Sequence, residues 1–337
     1  MEILKDYDLT KLNTFGISAR TSFFVELNEE SELQELFLSP EFKNNQKLFL
    51  GGGSNILFTK NFDGVVILNK LKGIKMLKED FENVLIKSMG GEVWHDLVMF
   101  VVNGGYWGIE NLSLIPGTVG AAPIQNIGAY GVELKDILET VEAYEIETGQ
   151  KKVFEKEECE FGYRDSIFKN KLKGRYLIIA ITLKLSKIEK QNVSYKVLQE
   201  YLKENKIEIK NSKDISDAIA SIRKSKLPDP AIMGNAGSFF KNIYIDNNKA
   251  EEIKSEYPDV PLFEDNGLIK ISAAWLIEKC GWKGKRVGNV GMHEKQALVL
   301  VNYGGATGEE VKSFSEQIID SVFSKFGLKL EREVNLI

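Results

Sequence analysis

A glycine-rich and almost uncharged stretch at residues 115–131, IPGTVGAAPIQNIGAYG, limits most strongly what this chain can fold into. Its residues are small and cannot bury enough apolar surface to build a core by themselves. Backbone with few bulky side chains suits close contact with a large planar ligand, although a packing loop between strands would have the same composition. The stretch is therefore a candidate ligand-binding surface, and other segments must supply the core.

A second glycine-rich segment lies at residues 51–55 between two apolar runs, and it reads Gly51, Gly52, Gly53, Ser54 and Asn55. Consecutive glycines allow close backbone approach, so that several N–H groups can converge on an anion. The segment is neither a Walker loop nor the GxGxxG fingerprint. The sequence does not distinguish between two explanations of this segment, a phosphate-binding loop and an ordinary tight turn.

Hydrophobic periodicity predicts strands and helices along the chain, and their end signals are clearest in the last third. Thr307 and Glu310 form a T-x-x-E capping box, and Gly281 and Gly327 mark helix ends. Mixed strands with segregated helices predict an α+β chain of more than one domain. The predicted strands are residues 23–27, 47–50, 65–68, 84–87, 139–145, 175–185, 297–301 and 328–336. The predicted helices are a helix through 33–37, residues 93–102, 195–205, 272–280 and 308–326, and a helix through 215–222 that stops near Pro228.

Composition excludes several classes of function. The 44 basic and 49 acidic residues are intermixed without a basic tract, so no nucleic-acid partner is implied. Two cysteines and two histidines show no metal-ligand spacing and no disulfide framework, which suits a reducing compartment. The N-terminus lacks an apolar signal segment, and the longest apolar run, residues 176–183, is too short to span a bilayer. We expect a cytoplasmic protein without a metal, a membrane segment or an obligate protein partner.

Several motifs occur in a fixed order: NTFG at 13–16, GGGSN at 51–55, the stretch at 115–131, YRDS at 163–166, KLPDP at 226–230 and GNAGSFFKN at 234–242. The two glycine-rich loops resemble the FAD-binding half of the vanillyl-alcohol-oxidase-like flavoproteins. The ordered series resembles the type I branch of the UDP-N-acetylenolpyruvoylglucosamine reductase family over residues 12–334. This resemblance implies a two-part FAD-binding domain, expected at residues 1–68 and 69–205. It also implies a C-terminal α+β substrate-binding domain, expected at residues 206–337, whose final strand returns to the active site.

The resemblance also implies a reaction. In the family, NADPH reduces non-covalently bound FAD, and a hydride then passes to the enolpyruvyl group of a UDP-sugar, giving UDP-N-acetylmuramate for peptidoglycan synthesis. Arg164 matches the arginine that stabilises the enolate-like intermediate, Ser238 matches the proton donor, and Glu333 matches the catalytic glutamate. Alternation alone does not distinguish Glu331 from Glu333, and Asn335 stands where some relatives have arginine.

The remaining binding residues are implied in the same way. For each of the substrate residues except Lys226, a solvated side chain is the competing explanation. The implied FAD-binding residues are Gly51, Gly52, Gly53, Ser54, Asn55, Ile115, Pro116, Gly117, Thr118, Gly120, Ala121, Gln125, Asn126, Gly128, Ala129 and Tyr130, and the implied UDP-sugar residues are Tyr195, Arg223, Lys226, Asn242 and Gln296.

Two alternatives belong to other functional classes. The first is another flavoenzyme of the same superfamily, in which flavin is often attached through histidine. His95 is the only histidine in the FAD half, and it does not lie in a glycine-rich loop. The second is a non-enzymatic flavin-binding or UDP-sugar-binding protein, in which Arg164, Ser238 and Glu333 would be dispensable.

Overall fold

The computed structural model describes residues 1–265 and 267–337, and these residues form two compact units. The first unit contains residues 1–7, 20–53 and 62–225, and the second contains residues 8–19, 54–61 and 226–337. This division differs from the expected domain bounds at residues 206–225, which belong to the first unit because Ile215, Ile219 and Ile222 share a core cluster with Trp107 and Leu198. It also differs at residues 8–19 and 54–61, which belong to the second unit. A further division at residue 68 and the return of the final strand to the active site stay predictions.

Runs of consecutive strands are separated by single helices or helix pairs along the chain, which is typical of an α+β chain. The strands are β1 (Leu4–Asp8), β2 (Arg20–Leu27), β3 (Gln46–Leu50), β4 (Ile56–Leu57), β5 (Phe62–Asn69), β6 (Ile74–Glu79), β7 (Asn83–Met89), β8 (Gly128–Ala129), β9 (Val132–Glu133), β10 (Leu138–Glu145), β11 (Lys151–Glu155), β12 (Tyr176–Ser186), β13 (Gly234–Ser238), β14 (Ile243–Ile245), β15 (Leu262–Asp265), β16 (Leu268–Ile271), β17 (Arg286–Val287), β18 (Val290–Met292), β19 (Val299–Asn302) and β20 (Asn335–Leu336). The helices are α1 (Leu33–Leu38), α2 (Pro40–Asn44), α3 (Trp94–Asn103), α4 (Lys196–Glu204), α5 (Ser212–Lys226), α6 (Asn247–Glu256), α7 (Ala273–Lys279) and α8 (Gly308–Phe326), with short 3₁₀ turns at Thr10–Leu12, Glu30–Glu32, Glu110–Leu112, Val119–Gln125, Leu134–Asp136 and Lys156–Cys159.

In the first unit, one sheet has the strand order β1-β2-β5-β3. β2 and β3 both run parallel to β5, because the connection between them crosses over through α1 and α2. Leu33 and Leu36 of α1 and Phe42 of α2 pack with Val65 and Ile67 of β5 in one buried cluster. The parallel strands end next to the segment that carries the glycines at residues 51–53.

A second sheet of the first unit is antiparallel, with the order β11-β10-β12-β7-β6. Its central strand β12 is buried on both faces. Leu177 and Ile179 pack in the cluster with β5, whereas Ile181 and Leu183 pack in the cluster that contains Leu97 of α3. The apolar run predicted as a strand is thus confirmed, and burial on both faces explains why its residues do not alternate in polarity.

The second unit contains a sheet with the order β13-β19-β18-β17, another with the order β14-β16-β15, and the parallel pair β4 and β20. Its longest helix, α8, has the predicted capping box: Glu310 N–H donates to Thr307 Oγ1 at 3.2 Å, and Thr307 N–H donates to the Glu310 carboxylate at 2.7 Å. Gly327 ends the helix with a φ of 68°, in the left-handed region that glycine tolerates.

The long final strand predicted for residues 328–336 is wrong. Leu328, Leu330 and Val334 are buried as alternation requires, but regular pairing is limited to a bridge at Arg332 and to β20. The chain bends at residues 333–334, because its backbone bonds first to residues 239–241 and then to residues 55–57. Within residues 1–265 and 267–337, none of the helices has the length and apolar character needed to span a membrane.

Candidate active site

In the first unit, the glycine-rich loops pack backbone against backbone. A Cβ added to Gly52 would lie 2.9 Å from Cα of Gly117, which is closer than carbon atoms approach each other. Gly120 N–H donates to the carbonyl of Gly90 at 2.8 Å. The segment after β3 and the start of the 115–131 stretch therefore form one surface of bare backbone.

Gly90 and Gly91 extend this surface, although they were not among the predicted cofactor residues. A Cβ on Gly91 would lie 2.5 Å from the carbonyl carbon of Lys70, and a Cβ on Gly120 would lie 3.1 Å from Cα of Gly90. The doublet follows strand β7 and precedes α3, just as residues 51–53 follow β3. That repeated position after a strand is the sequence signal that identifies it.

The surface fits the FAD that the family resemblance implies. The hydroxyl of Thr118 is buried and has no hydrogen-bond partner among the described residues, and a Cβ on Gly51 would collide with it. A buried hydroxyl without a partner, beside the backbone of Gly51, is suited to an anionic group such as a pyrophosphate. Of the predicted FAD-binding residues, Ser54 and Asn55 belong to the second unit and the others to the first.

Asn126, one of the predicted FAD residues, uses its side chain within the protein. It has a φ of 46°, and its amide donates to the Glu133 carboxylate and to the carbonyl of Gly162, both at 3.0 Å, while its oxygen accepts from Lys135 N–H at 3.0 Å. These bonds attach the glycine-rich stretch to the segment that precedes Arg164. We assign the side chain of Asn126 to positioning this segment.

Arg164 lies in the first unit with a φ of 52°, which is uncommon for a non-glycine residue and marks a position held by its surroundings. Its Nη2 donates to the carbonyl of Gly128 at 2.7 Å, and its guanidinium lies 5.3 Å from the Tyr163 ring centroid. The Asp165 carboxylate accepts from the Asn170 amide at 2.8 and 2.9 Å. The structure thus joins Arg164 to the glycine-rich stretch.

A second arginine, Arg223, lies near Arg164 in the same unit. Its Nε is buried and has no hydrogen-bond partner within the described chain. Burial lowers the pKa of Arg223, the neighbouring Tyr130 raises that pKa, and the positive charge of Arg164 lowers it. Tyr130 itself packs edge to face against Tyr195, with ring centroids 5.3 Å apart. Two neighbouring guanidinium groups and two phenols form a region suited to an anion.

In the second unit, Ser238 lies at the end of β13, where the pairing with β19 changes register between Asn235 and Ser238. Gly237, with a φ of 68°, donates its N–H to Oδ1 of Asn235 at 2.9 Å. An irregularity of this kind redirects the side chain that follows it. The half-buried Ser238 is therefore placed by backbone geometry that only the glycine before it permits.

The backbone of Glu333 is hydrogen-bonded to the segment that follows Ser238. Its N–H donates to the carbonyl of Phe239 at 2.8 Å, so Glu333 pairs with the residue that follows Ser238. The competing Glu331 is exposed and forms an ion pair with Lys241 at 3.5 Å. The structure thus separates two carboxylates that alternation left equivalent.

Asn335, the position at which the family resemblance left an arginine contact in question, has a structural role. Its N–H and its side-chain amide both donate to the carbonyl of Asn55 at 3.1 Å. The Asn55 amide donates in turn to the carbonyl of Glu333 at 3.3 Å. Asn55 therefore holds the backbone on both sides of the bend that carries Glu333.

The other predicted substrate residues of the second unit, Lys226, Asn242 and Gln296, lie at three different elements. Lys226 is the exposed last residue of α5. Oδ1 of Asn242 accepts from Ala273 N–H at 3.0 Å, at the start of α7. The carbonyl of Gln296 accepts from Val299 N–H at 3.1 Å, at the turn into β19.

His95 packs at the start of the glycine-rich stretch, where its Nδ1 accepts from Leu114 N–H at 3.1 Å. Burial is the main cause that lowers its pKa, which favours the neutral ring that this bond requires. Among residues 1–265 and 267–337, no group of histidine, cysteine, aspartate and glutamate side chains is arranged to hold a metal ion.

Comparison with known proteins gives two family matches within the chain. Residues 21–154 match the FAD binding domain family, and residues 229–337 match the C-terminal domain of UDP-N-acetylenolpyruvoylglucosamine reductase. Proteins with the latter name from Amoebophilus asiaticus and Flavobacterium johnsoniae are 49% and 46% identical over 100% of both chains.

The crystal structure of UDP-N-acetylenolpyruvylglucosamine reductase (MurB) from Thermus caldophilus is similar to this fold, with a TM-score of 0.66. It is 22% identical in sequence, and the similarity covers 99% of this chain and 98% of that one. The predicted α+β class with a vanillyl-alcohol-oxidase-like FAD-binding half is confirmed. The chain therefore belongs to the UDP-N-acetylenolpyruvoylglucosamine reductase family of flavin oxidoreductases.

Proposed function

We propose that this chain reduces UDP-N-acetylglucosamine enolpyruvate to UDP-N-acetylmuramate, a step of peptidoglycan precursor synthesis, with FAD as cofactor and NADPH as reductant. The observation that carries the proposal is the hydrogen bond from Glu333 N–H to the carbonyl of Phe239. It joins the backbone of Glu333, whose carboxylate is proposed to be catalytic, to the residue that follows Ser238, the proposed proton donor, within one unit. Neither the strand pattern nor the motif order required that contact.

Non-covalently bound FAD supplies hydride chemistry, and the protein supplies binding, orientation, charge and a proton. The first-unit surface of Gly51, Gly52, Gly117, Thr118 and Gly120 would hold the cofactor. In this surface the backbone segments pack closely, and the glycines carry no side chain that would obstruct a flat ring system.

Reduction of an enol ether beside a carboxylate places additional negative charge on the substrate. A fixed cation stabilises such a transition state more than it stabilises the ground state. Arg164 would supply that cation, because its guanidinium is oriented by the Gly128 carbonyl and its backbone is held in a left-handed conformation. The Glu333 carboxylate would act on the same intermediate.

The intermediate must then gain a proton on carbon. A serine hydroxyl is a weak acid, but an enolate carbon is basic enough to take its proton in a water-poor site. Ser238 would donate this proton, and the bend at Gly237 would fix the direction of its hydroxyl.

The substrate carries a carboxylate and a pyrophosphate, so its binding residues need positive charge and phenol donors. Arg223 and Tyr195 would provide this combination in the first unit, next to Tyr130, which was expected to contact FAD and whose phenol could also reach the substrate. Lys226, Asn242 and Gln296 are proposed for the same ligand. Both cysteines are free thiols, which suits the proposed cytoplasmic location.

The test separates the two half-reactions. In Ser238→Ala, reduction of the flavin by NADPH should be unchanged, while its reoxidation by the UDP-sugar should slow by at least about 100-fold, because general acid catalysis contributes that much. Stopped-flow absorbance of the flavin measures both rates. Ser255→Ala, an exposed serine on α6 that donates to the Glu252 carbonyl, is the matched control and should leave both rates unchanged. Equal loss of both half-reactions in Ser238→Ala would contradict the role, and no reoxidation by this UDP-sugar in the unmodified enzyme would contradict the function.

A further inference from the structure

A buried polar turn in the first unit, residues 110–113, contains side chains to which the proposed reaction assigns no role. Asn111 is only 1% exposed, and its amide nitrogen donates to the carbonyls of Tyr130 and Asn192, each at 2.9 Å. Both hydrogens of one amide group are therefore used, each on a different segment. A buried side chain that joins two distant backbone segments fixes their relative position.

The first of these segments is the end of the glycine-rich stretch. Tyr130 has a φ of 49°, so its backbone adopts a conformation that side chains other than glycine rarely take. The bond from Asn111 to its carbonyl helps to hold that conformation.

The second segment, residues 187–195, lies between β12 and α4 and has no regular secondary structure. Side chains replace the missing ladder bonds: the Asn192 amide donates to the Gly131 carbonyl at 3.3 Å, and Ser194 Oγ donates to the Asn192 side-chain oxygen at 2.8 Å. Tyr195 follows directly as the residue before α4, and 47% of it is exposed.

The same turn is also attached to the helix that carries Arg223. Ser113 Oγ lies 2.7 Å from Ser216 Oγ, and both serines are buried. Ser216 and Arg223 lie on one helix, α5, two turns apart. The turn thus contacts three parts of the chain. They are the end of the glycine-rich stretch at Tyr130, the segment that precedes Tyr195, and helix α5, which carries Arg223.

We infer that Asn111 is a positioning residue for the anionic part of the UDP-sugar: it holds the Tyr195 segment against Tyr130, so that the two phenols lie together and Tyr130 lies near Arg223. This inference rests on the proposed function for the identity of the ligand. Residues held in their bound arrangement cost less free energy to order on binding, so the effect is on affinity. Asn111 itself does not touch the reacting atoms.

Two substitutions test this role in the flavin-loaded protein. Asn111→Ala removes the amide, and Asn111→Asp keeps the shape but removes both donors and sets a carboxylate against two carbonyl oxygens. Asn302→Ala is the matched control, because Asn302 is another buried asparagine whose amide donates to a backbone carbonyl, that of Phe15, at 2.9 Å in the second unit.

Two measurements are expected to change in both Asn111 variants and not in the control. Hydrogen exchange at residues 190–196 should become at least about tenfold faster, because the Asn192 carbonyl loses its donor and the segment is held less firmly. The Kd for UDP-N-acetylglucosamine enolpyruvate, measured by calorimetry, should rise by about tenfold or more. The KM should rise with it, whereas kcat should stay within about twofold, since the lost contribution is to binding.

The outcomes separate the inference from the proposed function. Unchanged exchange at residues 190–196, or a substrate Kd within about twofold of the unmodified protein, would overturn the positioning role. So would an Asn111→Asp variant that behaves like the unmodified protein. If the unmodified enzyme binds this UDP-sugar but does not turn it over, the proposed function fails, while the exchange and affinity data still decide the role of Asn111.

Discussion

The packing of Gly52 against Gly117 gives a direct test of the cofactor surface. In Gly52→Ala the new methyl group would lie 2.9 Å from Cα, 3.5 Å from C and 3.7 Å from N of Gly117. Gly52 does not have a positive φ, so the substitution does not strain its backbone and acts through this collision alone. The obstacle is backbone, which cannot rotate away as a side chain can.

The size of the effect follows from these distances. Carbon atoms prefer separations of about 3.5–4.0 Å, so the two loops must move apart by roughly 1 Å. Overpacking of this kind costs about 1–3 kcal/mol. If the displaced backbone is the surface that holds FAD, the same range corresponds to a rise in the Kd for FAD of roughly 5- to 150-fold.

The assay is a titration of the apoprotein with FAD, followed by quenching of flavin fluorescence, together with the thermal midpoint of the apoprotein. Gly64→Ala is the control, because its methyl group would also collide with backbone, lying 2.6 Å from the carbonyl oxygen of Gln46. Gln46 is the first residue of β3, whereas residues 51–53 follow the last residue of that strand. Both variants should lower the midpoint, but only Gly52→Ala should weaken FAD binding. A Kd for FAD within about twofold of the unmodified protein in Gly52→Ala would refute the assignment of this surface.

Three further predictions concern stability. His95→Asn should remove a pH dependence of stability. Because the pKa of His95 is lowered in the folded protein, the unfolded chain takes up this proton first as pH falls, so the free energy of unfolding decreases as pH drops through and below the ordinary value of 6.5. Chemical denaturation at about pH 8 and about pH 5 should therefore show a smaller difference in the free energy of unfolding for the variant than for the unmodified protein. Glu110→Gln keeps an acceptor for Gly108 N–H. Because burial raises the pKa of Glu110, the unmodified protein loses stability as pH rises above 4.5, so the free energy of unfolding of the variant should gain on that of the unmodified protein over this range. A constant difference between the two proteins across pH would contradict this. Thr307→Ala should lower the free energy of unfolding by about 1 kcal/mol through loss of the α8 cap, and an unchanged denaturation midpoint would exclude that contribution.

Features that depend on neighbours in the sequence were predictable from the sequence. The capping box at Thr307, the helix end at Gly327 and the buried strand β12 follow from local hydrogen bonding and hydrophobic pattern, and the structure confirms each of them. Motif order identified the family, because the set of motifs spans nearly the whole chain. Periodicity failed at residues 328–336, where the alternation is present but the pairing partners change at the bend.

The candidate site needed the tertiary structure. The sequence alone placed Glu331 and Glu333 on one face, and only the pairing of Glu333 with Phe239 and of Glu331 with Lys241 separates them. Asn111 gave no sequence signal, because its role depends on two carbonyls that lie 19 and 81 positions away.

The glycine-rich stretch illustrates the same limit. Its composition indicated a candidate ligand-binding surface, because small residues leave the backbone uncovered, but a packing loop would have had the same composition. Only the fold decided which backbone lies beside it, at Gly52 and Gly90, because contact between segments far apart in sequence is set by the packing of the strands that carry them.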